Sequence, residues 1–166
     1  HTIGNRPYDA GTSARDSWLM AIFTFGEGYH NYHHSFQHDY RNGVKNWQWD
    51  PTKWAIWTLN KLGLAEDLRR VPEEKIVLAE LRETHRLAEA QLIKTKHWNI
   101  SCPDYKAAMR TLSEMSEKLG EGYSEIEQAV SDRVDLSREK INYWREQVAD
   151  TIEQLSVMDR LQPSMA

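Results

Sequence analysis

Apolar residues in the second half of the chain recur every three or four positions and never convincingly every second one, a spacing that helices can bury on one face and strands cannot. After Pro72 and two glutamates, Ile76, Leu78, Leu81, His85, Leu87 and Leu92 form one stripe that predicts a helix to about Lys96. Ser101-Cys102-Pro103-Asp104 restarts a helix with Met109, Leu112, Met115 and Leu119 on its apolar face, and Gly120 and Gly122 are read as its end. Ser124 to Gln162 then reads as one long helix of nearly heptad period, from Ile126 and Val130 through Ile141, Trp144 and Val148 to Met158. The stretch from Ala107 onward is expected to form an antiparallel helical pair or coiled-coil arm, its charge run a solvated face. No chemistry is assigned to it.

The first half has shorter helical stretches and is richer in turns. Residues 1–12 are read as irregular, with Thr12 or Ser13 as a helix cap. A helix follows from Ala14, its apolar positions Trp18, Ile22 and Phe25 interrupted by Gly26 and Gly28. A second helical stretch runs from Tyr29 to about His38, Asn42-Gly43 marks a turn, and Asp50-Pro51 opens a short apolar helix closed by Gly63. The fold class is therefore all-α. The longest apolar run, Trp18 to Phe25, falls well short of the ~18 residues a bilayer span needs. No signal peptide opens the chain, which begins at His1 rather than at a methionine and is expected to be a piece of something longer.

Composition bounds the function classes. With 166 residues, 40% apolar and 28% charged, and a mean hydropathy of -0.74, the chain is neither collagen-like, nor low-complexity, nor a disulfide scaffold. The single cysteine, Cys102, has no internal partner. Residues 1–72 carry eight Lys/Arg against seven Asp/Glu, whereas 73–166 carry thirteen against eighteen. Neither part is basic enough for a nucleic-acid surface, and the shift in balance predicts a domain boundary at about residue 72.

One segment has a composition that folding alone does not explain. In Glu27-Gly28-Tyr29-His30-Asn31-Tyr32-His33-His34, a helix would place His33 and His34 three and four residues after His30, on one face. Neutral imidazole offers a lone pair to iron, zinc or copper while its other nitrogen donates to a neighbouring oxygen. Three rings crowded together repel when protonated and cost helix propensity, so metal ligation is the better account of them. His38 is read as an exposed histidine beyond the helix end, and His85 and His97 as surface or interface histidines. Three ligands from one helix leave a coordination sphere incomplete.

The run Gly26 to Phe36, continuing to Asp39-Tyr40-Arg41, closely resembles the third histidine box of the membrane-bound acyl-CoA (stearoyl-type, delta-9) fatty acid desaturases. His1 and the following Gly4-Asn5-Arg6-Pro7-Tyr8-Asp9 are similar to the segment that precedes that box in the family. The likeness continues through Trp49-Asp50-Pro51-Thr52-Lys53-Trp54, Lys61-Leu62-Gly63-Leu64-Ala65 and Arg69-Arg70-Val71, covering about residues 1–75. The family's two other boxes and its four membrane-spanning helices are not in this chain.

The resemblance implies that residues 1–72 are the C-terminal helical cap of a desaturase, on the cytoplasmic side of a multi-pass membrane protein, and that 73–166 are an acidic helical extension. It implies His30, His33, His34 and His1 as ligands of two iron ions, a centre completed by histidines upstream. Glu27 and Asn31 would stand behind the ligands, and Trp54 and Trp57 near the membrane interface. The implied reaction introduces a cis double bond into a long-chain acyl-CoA with dioxygen and two electrons from ferredoxin, a rubredoxin-like carrier or a cytochrome b5-like carrier. The 166 residues alone are expected to be inactive. Two other readings stand beside this one: a histidine-box lipid hydroxylase or acyl-lipid desaturase, and a helical interaction module without catalysis.

Overall fold

A computed structural model describes residues 4–95 and 103–161, so that His1, His97 and Cys102 lie outside the described residues. Six helices follow one another: α1 (Trp18–Phe23), α2 (His30–Ser35), α3 (Pro51–Lys61), α4 (Glu73–Thr95), α5 (Pro103–Ser131) and α6 (Arg138–Leu161). No strand occurs among the described residues, where pairing is confined to isolated bridges between Asn5 and Asp16 and between Asp16 and Tyr29. The all-α reading holds. Among the described residues no helix is long and apolar enough to cross a membrane. The chain forms two compact units, His1–Pro72 and Glu73–Ala166.

The first unit is assembled around buried polar side chains. Asn31 is fully buried; its amide oxygen accepts from the backbone N–H groups of Tyr8 (3.0 Å) and Asp9 (3.2 Å), and its amide nitrogen donates to the Asp9 (2.7 Å) and Ala14 (3.2 Å) carbonyls. Asp39 accepts from the Tyr32 hydroxyl (2.7 Å), the Arg41 guanidinium and the Val71 backbone (2.9 Å), tying the end of the unit back to its middle. Asp50 caps α3 at the Lys53 N–H (2.9 Å) while its other oxygen accepts from Asn42 and Gly43. Each of these groups would cost about 1–3 kcal/mol if buried without partners, so the loops are fixed by satisfying them. Gly28 is required where the chain doubles back, because a Cβ there would lie 2.0 Å from the Ala21 backbone nitrogen.

By contrast, the large apolar side chains of α1 are mostly outside: Trp18 is 67% exposed and Phe23 74%, and only Ala21 of this helix is buried. Trp47, Trp49, Trp54 and Trp57 are exposed as well.

In the second unit α4, α5 and α6 pack as a three-helix bundle, antiparallel in succession. One core brings Val77 and Leu81 of α4 against Leu119 and Ile126 of α5 and Ile141, Trp144 and Val148 of α6. At the other end Ala88, Tyr105, Ala108, Leu112 and Met158 form a second cluster. Full burial of each large side chain contributes about 1.5–3 kcal/mol.

In the first unit α1 begins at Trp18, capped by Ser17 rather than by Thr12 or Ser13, and α2 ends at Ser35 rather than near His38. In the second unit two boundaries differ from the sequence reading. Gly120 and Gly122 do not end a helix; α5 continues to Ser131. Gly122 is where the Trp144 indole lies against the α5 backbone, and a Cβ would meet that ring at 2.5 Å. Nor is there one long helix from Ser124 to Gln162. The chain breaks after Ser131, where Val134 N–H bonds to the Ala129 carbonyl (2.9 Å), Arg133 N–H to that of Val130 (3.3 Å), and Arg133 takes a left-handed φ of 54°. This is a Schellman closure with arginine where glycine is usual, so the sequence carries no stop signal. Ser137 then caps α6 by accepting from the Lys140 N–H at 3.2 Å.

Candidate metal centre

The helix α2 that carries the histidines is six residues long, too short to persist in isolation. It is held from outside. Its N-cap residue Tyr29 makes no side-chain cap; instead the Asp16 carboxylate, from the segment before α1, accepts from the backbone N–H groups of Asn31 (2.7 Å) and Tyr32 (3.1 Å). Negative charge at those donors also complements the helix dipole. Asn31 anchors the helix to residues 8–14, and Tyr32 packs edge-on against Tyr8 at 5.3 Å between ring centres. Asn31 and Tyr32 thus face inward, leaving the histidines on the outer side.

On that side two of the three imidazoles meet. The Nε2 atoms of His30 and His34 are 3.0 Å apart, with ring centres at 4.4 Å. Two nitrogens at right angles on one ion, each about 2.1 Å from it, would stand about 3.0 Å apart. The pair therefore fits two neighbouring ligands of a single metal. His33 stands off, its ring centre 6.4 Å from that of His30 and 6.0 Å from that of His34. Among the described residues no group of three or more His, Cys, Asp or Glu is arranged to hold a metal ion. The donor set is a two-histidine clamp with a third imidazole on the same short helix.

Electrostatics favour neutral imidazole at His30. The His30 pKa is held below its ordinary value, first by burial and then by the positive charge that His34 and His33 carry when protonated, with Glu27 opposing. Glu27 is exposed and acts on His30 through its charge. His38 lies beyond the end of α2 and is exposed. His85 is in the second unit, its Nε2 3.8 Å from a Glu89 oxygen.

Sequence reasoning missed what Asp16 and Asp39 do and read Asp50 only as the start of α3. Asp16 acts on amides 15 and 16 positions away, Asp39 reaches Val71 32 positions on, and Asp50 also holds the Asn42 and Gly43 amides. Burial pushes the Asp16 carboxyl up to about 6 against its two amide donors. Asp39 stays below the ordinary range although burial works the other way, because Arg41, the Val71 amide and Tyr32 all donate to it.

No protein-family model matches the chain. No solved structure matches it. Among curated proteins it is 45% identical over 86 residues to acyl-CoA desaturase 1 of Saccharomyces cerevisiae, covering 52% of this chain and 17% of that one. It is 38% identical over 100 residues to a probable acyl-CoA desaturase of Schizosaccharomyces pombe, covering 60% of this chain and 21% of that one. It is 42% identical over 69 residues to the sn-1 stearoyl-lipid 9-desaturase of Anabaena variabilis, covering 42% of this chain and 25% of that one. The chain spans between a sixth and a quarter of the length of these relatives. Over about half of its own length, the chain is similar to acyl-CoA desaturases.

Proposed function

We propose that this chain is part of a di-iron fatty acid desaturase that introduces a cis double bond, at the delta-9 position, into a long-chain acyl-CoA. The carrying observation is the 3.0 Å approach of the His30 and His34 nitrogens on a helix whose inner face is locked by Asn31 and Asp16. His30, His33 and His34, with His1, would be the ligands this chain brings, and histidines from a part of the enzyme outside this chain would complete the centre. When bound, the irons supply the oxidation by dioxygen that an unactivated methylene requires and that no side-chain acid or base can perform. Two electrons from an external carrier balance that reaction.

The residues on this chain contribute position. Asp16 fixes the start of α2 and Asn31 its rotation, so that the imidazoles are set before any ion arrives. Burial lowers the His30 pKa and so favours the neutral ring, whose lone pair can reach a metal. Glu27, which opposes that effect of burial, would stand behind the ligands through its charge. The exposed indoles of Trp54 and Trp57 suit the headgroup layer of a membrane, and this segment would lie on its cytoplasmic side. Residues 73–166 would form an extension that needs no iron, held by two apolar clusters.

The test uses the complete enzyme that carries this chain, expressed in a host lacking its own desaturase. His30→Ala or His34→Ala should abolish the unsaturated product measured by gas chromatography, whereas His38→Ala should leave it unchanged. Full activity in the His30→Ala and His34→Ala variants would overturn the reading. A second reading, desaturation of lipid-linked chains, is favoured by the likeness to the stearoyl-lipid desaturase. Incubating that enzyme with labelled acyl-CoA under conditions that block transfer to lipid separates the two.

A further inference from the structure

Away from the histidines, the first unit contains a pocket of about 310 Å³ lined by Tyr40, Arg41, Lys53, Trp54, Trp57 and Arg70, with Val44 and Asn46. No histidine and no carboxylate lines it. Lys53 is 92% buried by its 8% exposure, an unusual position for an ammonium. Its Nζ donates to the carbonyls of Gly43 (2.8 Å) and Lys45 (3.2 Å), which uses two of its three protons. Burial holds its pKa below the ordinary lysine value, only partly offset by Asp50. The Asp50 oxygens are themselves engaged by backbone amides of Asn42, Gly43 and Lys53.

The two arginines are placed by their neighbours. Arg41 binds Asp39 through Nε (2.9 Å) and Nη2 (2.7 Å) and also meets the Tyr32 hydroxyl, which fixes the plane of the guanidinium. Arg70 donates to the Tyr40 hydroxyl at 2.8 Å and stacks over that ring at 5.3 Å. Among the described residues neither Lys53 nor Arg70 has a carboxylate ion pair. Three cations therefore line one cleft; Asp39 is paired to Arg41, Asp50 acts on Lys53 through its charge, and two half-exposed indoles stand beside them.

We propose that this pocket is a binding site for a phosphate ester, its oxygens taken by Lys53, Arg41 and Arg70 and the organic group it is attached to covered by Trp54 and Trp57. A planar guanidinium held in a fixed plane, with an ammonium and a second guanidinium lining the same cleft, matches the spread of oxygens on a phosphate. The volume sits at the lower limit of small-molecule sites, large enough for a phosphorylated head group. A phospholipid head group and a soluble phosphate ester present the same chemistry to these side chains. The site stands independently of the iron reading, since none of its residues is a ligand there.

Inorganic pyrophosphate is titrated into the full chain by calorimetry at constant ionic strength, and the same chain is sedimented with phosphatidylcholine vesicles with and without phosphatidic acid. Saturable one-to-one binding of pyrophosphate, weakened roughly tenfold by Arg70→Gln as expected for one charge-assisted hydrogen bond, supports a soluble ester. Binding confined to phosphatidic acid vesicles and weakened by the same variant supports a lipid head group. Lys53→Met, which keeps the buried stem, should weaken binding further, with circular dichroism and thermal melting checking that it folds. Should that variant fail to fold, Arg70→Gln decides alone, because Arg70 is exposed. No binding to either probe, or an equal loss on neutralising the remote Arg110 by Arg110→Gln, would overturn the proposal.

Discussion

Asp16 holds Asn31 from a distance of fifteen positions: its carboxylate accepts the Asn31 backbone N–H at 2.7 Å and thereby caps a helix to which it does not belong. The interaction is made in a partly dry environment, and the carboxyl is pushed up to about 6 from an ordinary 3.8. A carboxyl raised on folding binds more protons in the folded state between those values, so its contribution to stability falls as pH rises through that window. Below about 4 the penalty is absent; above about 6 it is complete. Asp16→Asn keeps an acceptor for the two amides and removes the charge. The wild-type chain should therefore lose stability relative to Asp16→Asn between about pH 4 and 7, by of the order of 2 kcal/mol. Thermal melts of both chains across that range would show parallel curves if the idea is wrong.

Asn31 makes the larger structural contribution. Its truncation to alanine strands the Tyr8 amide and the Ala14 carbonyl inside the unit, and should cost about 3 kcal/mol. Asn31→Asp should be no better, because a carboxylate cannot donate to the Asp9 and Ala14 carbonyls. Amide exchange read by mass spectrometry should show loss of protection in residues 8–35 and none in 73–95 or 103–161.

The second unit offers a contrast between two nearby glycines. At Gly122 a methyl group would meet the Trp144 ring at 2.5 Å, so Gly122→Ala should destabilise by about 1–3 kcal/mol despite the better helix propensity of alanine. At Gly120 the nearest atom is His85 Nε2 at 3.3 Å, at the end of a side chain that can turn aside. Gly120→Ala should be neutral or gain up to about 1 kcal/mol. Urea denaturation of the two variants distinguishes them.

For the histidines, the expected order of effects follows their geometry. Cobalt(II) added to the full chain should bind through the His30–His34 clamp, and His34→Ala should weaken it at least tenfold. His33→Ala should have the smaller effect, and His38→Ala none. The absorption of the bound ion reports both affinity and nitrogen ligation; equal losses for His33→Ala and His34→Ala would mean that the clamp is not the primary site.

Much of the helical pattern could be read from the sequence, because apolar spacing alone separates helix from strand at Ile76 to Leu92 and at Ile141 to Met158. The break at Arg133 could not, since the closure is made by backbone bonds and a left-handed arginine while Val130 and Val134 keep the helical spacing across it. The glycines at 120 and 122 misled for the opposite reason: a residue type that commonly stops helices was there to admit an indole. In the candidate site, spacing i, i+3, i+4 put His30, His33 and His34 on one helix, but which two would meet depends on side-chain torsions that spacing does not carry. The support from Asp16, Asp39 and Asp50 was hidden because each acts on backbone amides, whose positions are known only once the loops are folded.

The first unit hides polar hubs and leaves most of its tryptophans in view, whereas the second holds most of the buried large aliphatic side chains, in two clusters. Heat capacity of unfolding follows apolar surface exposed, and polar surface lowers it. The two units should therefore differ calorimetrically, residues 4–72 giving a shallow stability curve and 73–161 a steeply domed one, with cold weakening the bundle before it weakens the histidine-bearing unit.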